Sequence, residues 1–173
     1  MIETERLILR PWRETDAEAL FKYASDPDVG PAAGWPVHPS VEYSREVIRT
    51  VFSAPEVYAV VLKDTGEPVG CCGVVPMDNL HSAGAEDGDV EIGYWIGKPY
   101  WGQGLIPEAV GALLKRCRDE LAIDTVWCVF YDGNDKSRRV CEKCGFKYHH
   151  TNRNVRSPLG DVRTEYFHCI KRS

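Results

Sequence analysis

Residues 90–131 constrain the fold more than any other part of the chain. Val90-Glu91-Ile92-Gly93-Tyr94-Trp95-Ile96 has the alternation of a strand. It runs into Trp101-Gly102-Gln103-Gly104-Leu105-Ile106-Pro107-Glu108-Ala109, a glycine turn with a proline where a helix begins. From Glu108 to Leu121 the residues Ala109, Val110, Leu113, Leu114, Cys117 and Leu121 share one helical stripe. Thr125 to Tyr131 is then a continuous apolar run, as in a strand buried on both faces. Strand, helix and strand at this spacing predict a right-handed crossover between two parallel strands. The turn also has a chemical consequence. The first amides of a helix lack intrahelical acceptors, and its dipole adds positive charge there. Glycines let an anion approach those amides, although a lone Gly-x-Gly also fits an ordinary strand-to-helix connection.

The other segments arrange themselves around that unit. Arg6 to Arg10 reads as a strand stopped by Pro11, Asp16 to Ala24 as a helix stopped at Asp26-Pro27, and Val41 to Phe52 as a second helix. Between those helices, Gly30 to Pro39 is a proline- and glycine-rich loop around Trp35, which either lines a pocket or packs. Val57 to Leu62 and Val69 to Val75 form a hairpin through Asp64-Thr65-Gly66-Glu67. The small Gly70-Cys71-Cys72-Gly73 centre suggests a close approach or a bulge. Pro76 to Asp89 is a polar loop whose acidic end (Glu86, Asp87, Asp89) is a solvated face or attracts substrate. Asn134 caps a helix over Asp135 to Cys144 that Gly145 ends, and Phe146 to His150 and Val162 to Ile170 are strands joined at Ser157-Pro158-Leu159-Gly160. The order β, α, α, β, β, β, α, β, α, β, β predicts one α/β domain over 1–173 with a mixed sheet and helices on it.

Composition narrows the class without naming it. The chain has 173 residues, 43% hydrophobic and 27% charged, as expected of one water-soluble globular domain. No run nears the roughly 18 apolar residues needed to span a bilayer, and the N-terminus has no signal pattern. A formal charge of −5 speaks against a nucleic-acid surface. Seven cysteines, set mostly in apolar or helical stretches, read as reduced thiols in a cytoplasmic protein. Cys141-x-x-Cys144 with His149 and His150 does not make a metal site, because adjacent strand residues point to opposite faces and no second cysteine pair follows.

Four features together resemble the GCN5-related N-acetyltransferase family, in particular its Rim-type branch, which acetylates protein N-terminal amines. They are Arg6-Leu7-Ile8-Leu9-Arg10-Pro11, Glu91-Ile92-Gly93-Tyr94-Trp95-Ile96, Tyr100-Trp101-Gly102-Gln103-Gly104 with Glu108-Ala109, and Asn134-x-x-Ser137 with Cys144-Gly145-Phe146. The resemblance implies a mostly antiparallel sheet that splays between two parallel strands, with about four flanking helices. It implies acetyl-CoA in that wedge, its pyrophosphate on the turn from Gly102 through Gln103, Gly104 and Leu105 to Ile106 and Pro107. Its pantetheine would pair with main-chain groups of Trp95, Ile96 and Gly97, and Asn134 and Ser137 would reach it or simply cap their helix. Ile106 is bulkier than the usual residue there, and Pro107 removes one N–H. No metal is implied, and the chain would be a monomer or a homodimer.

An amine attacking a thioester needs a base, an oxyanion partner and a proton for the departing thiolate. Glu91 is the candidate base, since it shares a strand face with Gly93 and Trp95 rather than with Val90, Ile92, Tyr94 and Ile96. Asp161 and Glu165 are back-up bases. Many relatives carry a tyrosine as acid where this chain has Cys141; its thiol, or water, would take that role. Trp35 and Glu91 are the expected contacts to the acceptor amine. A small-molecule amine, or a non-catalytic acyl-CoA-binding role, are the competing readings.

Overall fold

The computed structural model describes residues 1–77 and 82–171. An eight-stranded sheet runs in the order β1-β2-β3-β4-β5-β6-β8-β7. The strands are β1 (Ile2–Glu3), β2 (Leu7–Pro11), β3 (Val57–Leu62), β4 (Pro68–Pro76), β5 (Val90–Ile96), β6 (Thr125–Tyr131), β7 (Lys147–Arg156) and β8 (Val162–Lys171). Every neighbouring pair is antiparallel except β5 and β6, which are parallel as the crossover predicts. The helices are α1 (Ala17–Ala24), α2 (Val41–Thr50), α3 (Leu105–Asp119) and α4 (Asp135–Lys143).

The period-two alternation of the strands sorts side chains onto two faces. On one face Ala17, Leu20 and Ala24 of α1 and Ile48 of α2 pack on Val57, Ala59, Val61 and Cys71. On the other, Ala109, Val110, Leu113 and Cys117 of α3 and Cys141 of α4 pack on Leu7, Leu9, Val60, Val69, Ile92 and Ile96. Six of the seven cysteines are buried and Cys144 is half-buried, all as free thiols. Among the described residues, no helix is long and apolar enough to cross a membrane.

Local departures from expectation have local causes. Helix α3 begins at Leu105 rather than Glu108, so Pro107 is its third residue, still within the turn whose amides have no intrahelical acceptor. Strand β7 continues to Arg156, kept in the sheet by pairing with β8 through two register shifts. One shift lies between Tyr148 and His150. It breaks the alternation, so the neighbouring His149 and His150 rings meet, Nδ1 to Nδ1 at 2.8 Å, instead of facing apart. At Gly70 the close approach is real, since a Cβ there would lie 2.4 Å from the Trp95 carbonyl oxygen. Asp89 is buried and structural, accepting from Trp127 Nε1 at 2.7 Å and the Glu86 amide at 3.0 Å. Residues 78–81 of the same loop lie outside the described residues.

Candidate active site

Strands β5 and β6 stay paired only from Val90↔Val126 to Ile92↔Cys128. Beyond Ile92 they part, and a cavity of about 910 Å³ occupies the gap. Its walls come from both sheet faces. Ile106, Phe130, Ser137 and Val140 line it on the side of α3 and α4, and Trp35, Phe52, Glu91 and Trp95 on the side of α1 and α2. The cavity therefore passes through the sheet at the one place where the hydrogen-bond ladder is open.

At the α3 end the turn is built for an anion. Gly102 and Gly104 have φ of +74° and +75°, a conformation that costs a side-chain-bearing residue free energy. That shape turns successive amides toward the N-terminus of the 15-residue helix α3. Two cations flank it: a Cβ at Gly104 would lie 3.6 Å from the Arg6 guanidinium and 3.9 Å from the Lys143 ammonium. Arg6 is held in place by Glu108, with Nε to Oε2 at 2.7 Å, and donates to the Gln103 carbonyl at 2.9 Å. The Thr4 hydroxyl and the Arg6 amide donate to the other Glu108 oxygen at 2.6 and 2.8 Å. Burial opposes ionisation of Glu108, but these donors outweigh it and hold the carboxyl below its ordinary range. The arginine of the first motif and the glutamate of the third thus meet, 102 residues apart in sequence, to brace the turn.

The strand end refines which main-chain groups face the gap. The Gly97 amide donates to Val69 at 2.8 Å, and antiparallel alternation gives Trp95 the same orientation toward β4. Tyr94 and Ile96 therefore turn their main-chain groups toward the open side, and the Ile96 carbonyl there already accepts from Trp101 Nε1 at 3.0 Å. Of the three residues expected to present main-chain groups, Ile96 turns them to the open side, as Tyr94 does, while Trp95 and the Gly97 amide turn theirs to β4. The period of two in the strand carried this information, but only once the pairing partner of β5 was known.

The remaining candidates separate cleanly. Trp35 lines the cavity, edge-on to Trp95 with centroids 5.6 Å apart. Asn134 caps α4 by accepting from the Ser137 amide at 3.2 Å, and its amide donates to the Ala32 carbonyl at 3.2 Å, tying the Trp35 loop over the gap. Arg163 adds a second tie to that loop at the Pro31 carbonyl, 2.8 Å. Ser137, Ile106, Pro107, Gly102 and Gly104 line the cavity, whereas Gln103 and Leu105 contribute through the turn's backbone shape. Asp161 is engaged by Ser157 and Arg163, which lower its pKa, and neither it nor Glu165 lines the cavity.

Cys141 is not brought to the cavity. It is fully buried, and its hydrogen bond to Cys128, together with burial, raises its pKa far above that of an ordinary thiol. Tyr94, which the strand alternation puts on the packed face, lines the cavity instead. Its hydroxyl donates to the Ser137 carbonyl at 3.0 Å and lies 3.1 Å from Ser137 Oγ and 3.4 Å from Cys128 Sγ. Burial raises the Tyr94 pKa strongly, so the hydroxyl stays protonated. Among the described residues, no group of three or more metal-ligating side chains is assembled.

The α/β sheet is thus opened between two parallel strands, with a glycine turn at a helix N-terminus on one side and the Glu91 carboxylate on the other. The chain belongs to the GNAT acetyltransferase family: residues 6–147 match the family described as "Acetyltransferase (GNAT) domain". It is an acetyltransferase. A GNAT-family acetyltransferase structure from Bacillus anthracis superposes with a TM-score of 0.85 at 25% identity, covering 98% of this chain and 97% of that one. A putative ribosomal-protein-serine acetyltransferase from Vibrio cholerae gives 0.79 at 22% identity, with 99% and 97% covered. The microcin self-immunity acetyltransferase MccE, solved in complex with acetyl-CoA and AMP, gives 0.79 at 16% identity, with 98% and 94% covered.

Proposed function

We propose that this chain is an acetyl-CoA-dependent N-acetyltransferase whose acceptor is a protein N-terminal amine, as the Rim-type resemblance implies. The observation that carries the reading is the cavity through the open sheet, with phosphate-type binding groups at one mouth and Glu91 at the other. The turn from Gly102 to Ile106, with Arg6 and Lys143 beside it, fits a pyrophosphate. Acetyl-CoA, so placed, supplies the thioester. Glu91 accepts the proton of the attacking amine, directly or through water, and the main-chain amides of Tyr94 and Ile96 are the donors for the oxyanion. Ser137 and Tyr94 offer hydroxyls to the cavity, and one of them or water returns the proton to the departing thiolate.

A peptide acceptor is favoured by a second cavity of about 540 Å³ that shares Ala32, Tyr131 and Asn134 with the first and runs along Asn154, Arg163 and Thr164. A small amine would need no such extension, whereas a chain continuing beyond its first residue would. The test is thiol release from acetyl-CoA in the presence of short peptides with free or blocked N-termini. Turnover with the free series and none with the blocked series is expected. If only small amines turn over, the acceptor assignment is wrong, and if nothing does, the chemistry is wrong.

A further inference from the structure

The acceptor side of the cavity has a shape set by one residue without a side chain. Glu91, Gly93 and Trp95 project to the same face of β5, and Gly93 is exposed between the other two. A Cβ placed on Gly93 would meet nothing within 4 Å, so an open slot lies directly between the candidate base and an aromatic wall. In the neighbouring strand Gly73 pairs with Gly93, and there a Cβ would meet the Glu56 carbonyl at 2.9 Å, so the open space belongs to Gly93 and is bounded on the Gly73 side. The slot's surroundings are apolar: Trp95 and Trp35 at one end, and Phe52, Val51 and Val75 along the side. Val51 and Val75 leave 59% and 44% of their surface exposed toward the mouth, the usual mark of an apolar group awaiting a partner.

Charge points the same way. The only carboxylates lining this cavity among the described residues are Glu91 and Asp28, and Asp28 is ion-paired with Lys98. The cations Lys136, Arg139 and Lys143 line the same cavity. A polycationic acceptor would find one carboxylate for its reacting amine and none for its further charges, and an amino sugar would leave its hydroxyls against tryptophan and valine.

We propose that the slot takes an amine whose neighbouring side chain is apolar, a branched aliphatic or aromatic first residue, and that Gly93 is the specificity-determining residue. The proposal rests on the acetyltransfer reading above and narrows its acceptor. Burial of such a side chain in the slot corresponds to an advantage of about tenfold to a hundredfold in kcat/KM over a small or charged one.

The experiment compares peptides identical except for a first residue of Leu, Phe, Ala, Ser, Asp or Lys, with isoamylamine and spermidine as small amines. Leu and Phe peptides are expected to lead by that margin, and isoamylamine to exceed spermidine. Equal rates across the peptides, or a lead for Lys or spermidine, overturn the proposal while leaving acetyltransfer intact. No turnover on any amine, despite a rise in melting temperature with acetyl-CoA, removes the acetyltransfer reading and this proposal with it. Gly93→Val puts its Cβ where nothing lies within 4 Å, so its melting temperature and its acetyl-CoA-induced rise should match wild type. Its kcat/KM for the Leu peptide should fall at least about tenfold. Unchanged kinetics would sink the assignment of Gly93. Should that variant fail to fold, V51S/V75S at the exposed wall replaces it. That change should raise KM for the Leu peptide several-fold and leave the Ala peptide unaffected, and equal effects on both would count against the slot.

Discussion

Glu91 and Cys141 were both candidates for moving protons, and burial separates them. Glu91 sits on the cavity wall beside Gly93, within a space that an amine can enter. Replacing it by Gln keeps its volume and removes its basicity, so kcat/KM at neutral pH should fall by about a hundredfold or more, with the acetyl-CoA-induced thermal shift retained. A rate within twofold of wild type would assign the base elsewhere. Cys141 has no exposed surface, and its thiol is held by Cys128. Cys141→Ala should leave the pH profile of kcat in place and cost about 1–2 kcal/mol of stability, since a small buried group is lost from a packed helix face. An alkaline limb that moves in this variant would reinstate the thiol as the acid. Tyr94 could not be foreseen in this position from spacing, because its neighbours Cys128 and Ser137 come from two other elements, 34 and 43 residues away.

At the scale of elements, the brace between β2 and α3 connects the sequence signature to function. Arg6 and Glu108 belong to motifs 102 residues apart, and each looks like an ordinary surface charge until the chain is folded. In the structure Arg6, held by Glu108, fixes the carbonyl of Gln103, and through it the glycine turn at the start of α3. Glu108→Ala removes the acceptor for Thr4, the Arg6 amide and the Arg6 side chain together. It should raise KM for acetyl-CoA by about tenfold, with a smaller effect on kcat, because the loss is in positioning for binding rather than in the reacting groups. A variant with unchanged KM would reduce the brace to a surface ion pair of little value. The strand-turn-helix-strand core was legible because hydrophobic period and glycine-proline punctuation are local signals, and they are strong between Val90 and Tyr131. The start of α3 was misplaced by three residues because Leu105 and Ile106 precede the proline taken as the signal. The pairing of β7 to Arg156 was missed because its outer half, Asn152 to Arg156, is polar and is held by β8 rather than by its own pattern.

Across the whole molecule, three carboxylates tie distant segments together, and each is held below its ordinary pKa. Arg116 lowers Glu56, joining α3 to the start of β3, with the Tyr58 hydroxyl adding a second donor at 2.7 Å. Lys22 and then Tyr23 lower Glu67, joining α1 to the β3–β4 hairpin. Glu108 is lowered despite burial by its Thr4 and Arg6 donors, joining α3 to the N-terminal strands. A carboxylate with a depressed folded pKa stabilises the fold fully above its unfolded value, 4.5 for these three groups, and loses that contribution as pH falls through the folded value. The exposed pairs, such as Glu14 with Arg49, add little because solvent screens them. The contribution of the Glu56, Glu67 and Glu108 ties to the melting temperature should therefore be constant from pH 7 to about 5 and decline below about 4.5, as all three are protonated. Glu56→Gln separates this cause from general charge repulsion. At pH 7 the variant lacks the charge-assisted bond to Arg116 and should be less stable by about 1–3 kcal/mol. As pH falls through the lowered folded pKa the wild-type Glu56 itself becomes neutral, so the two melting curves should converge. Melting temperatures recorded for both proteins from pH 7 to 3 decide the matter, and curves that stay parallel over the whole range would show that Glu56 keeps the same pKa folded and unfolded.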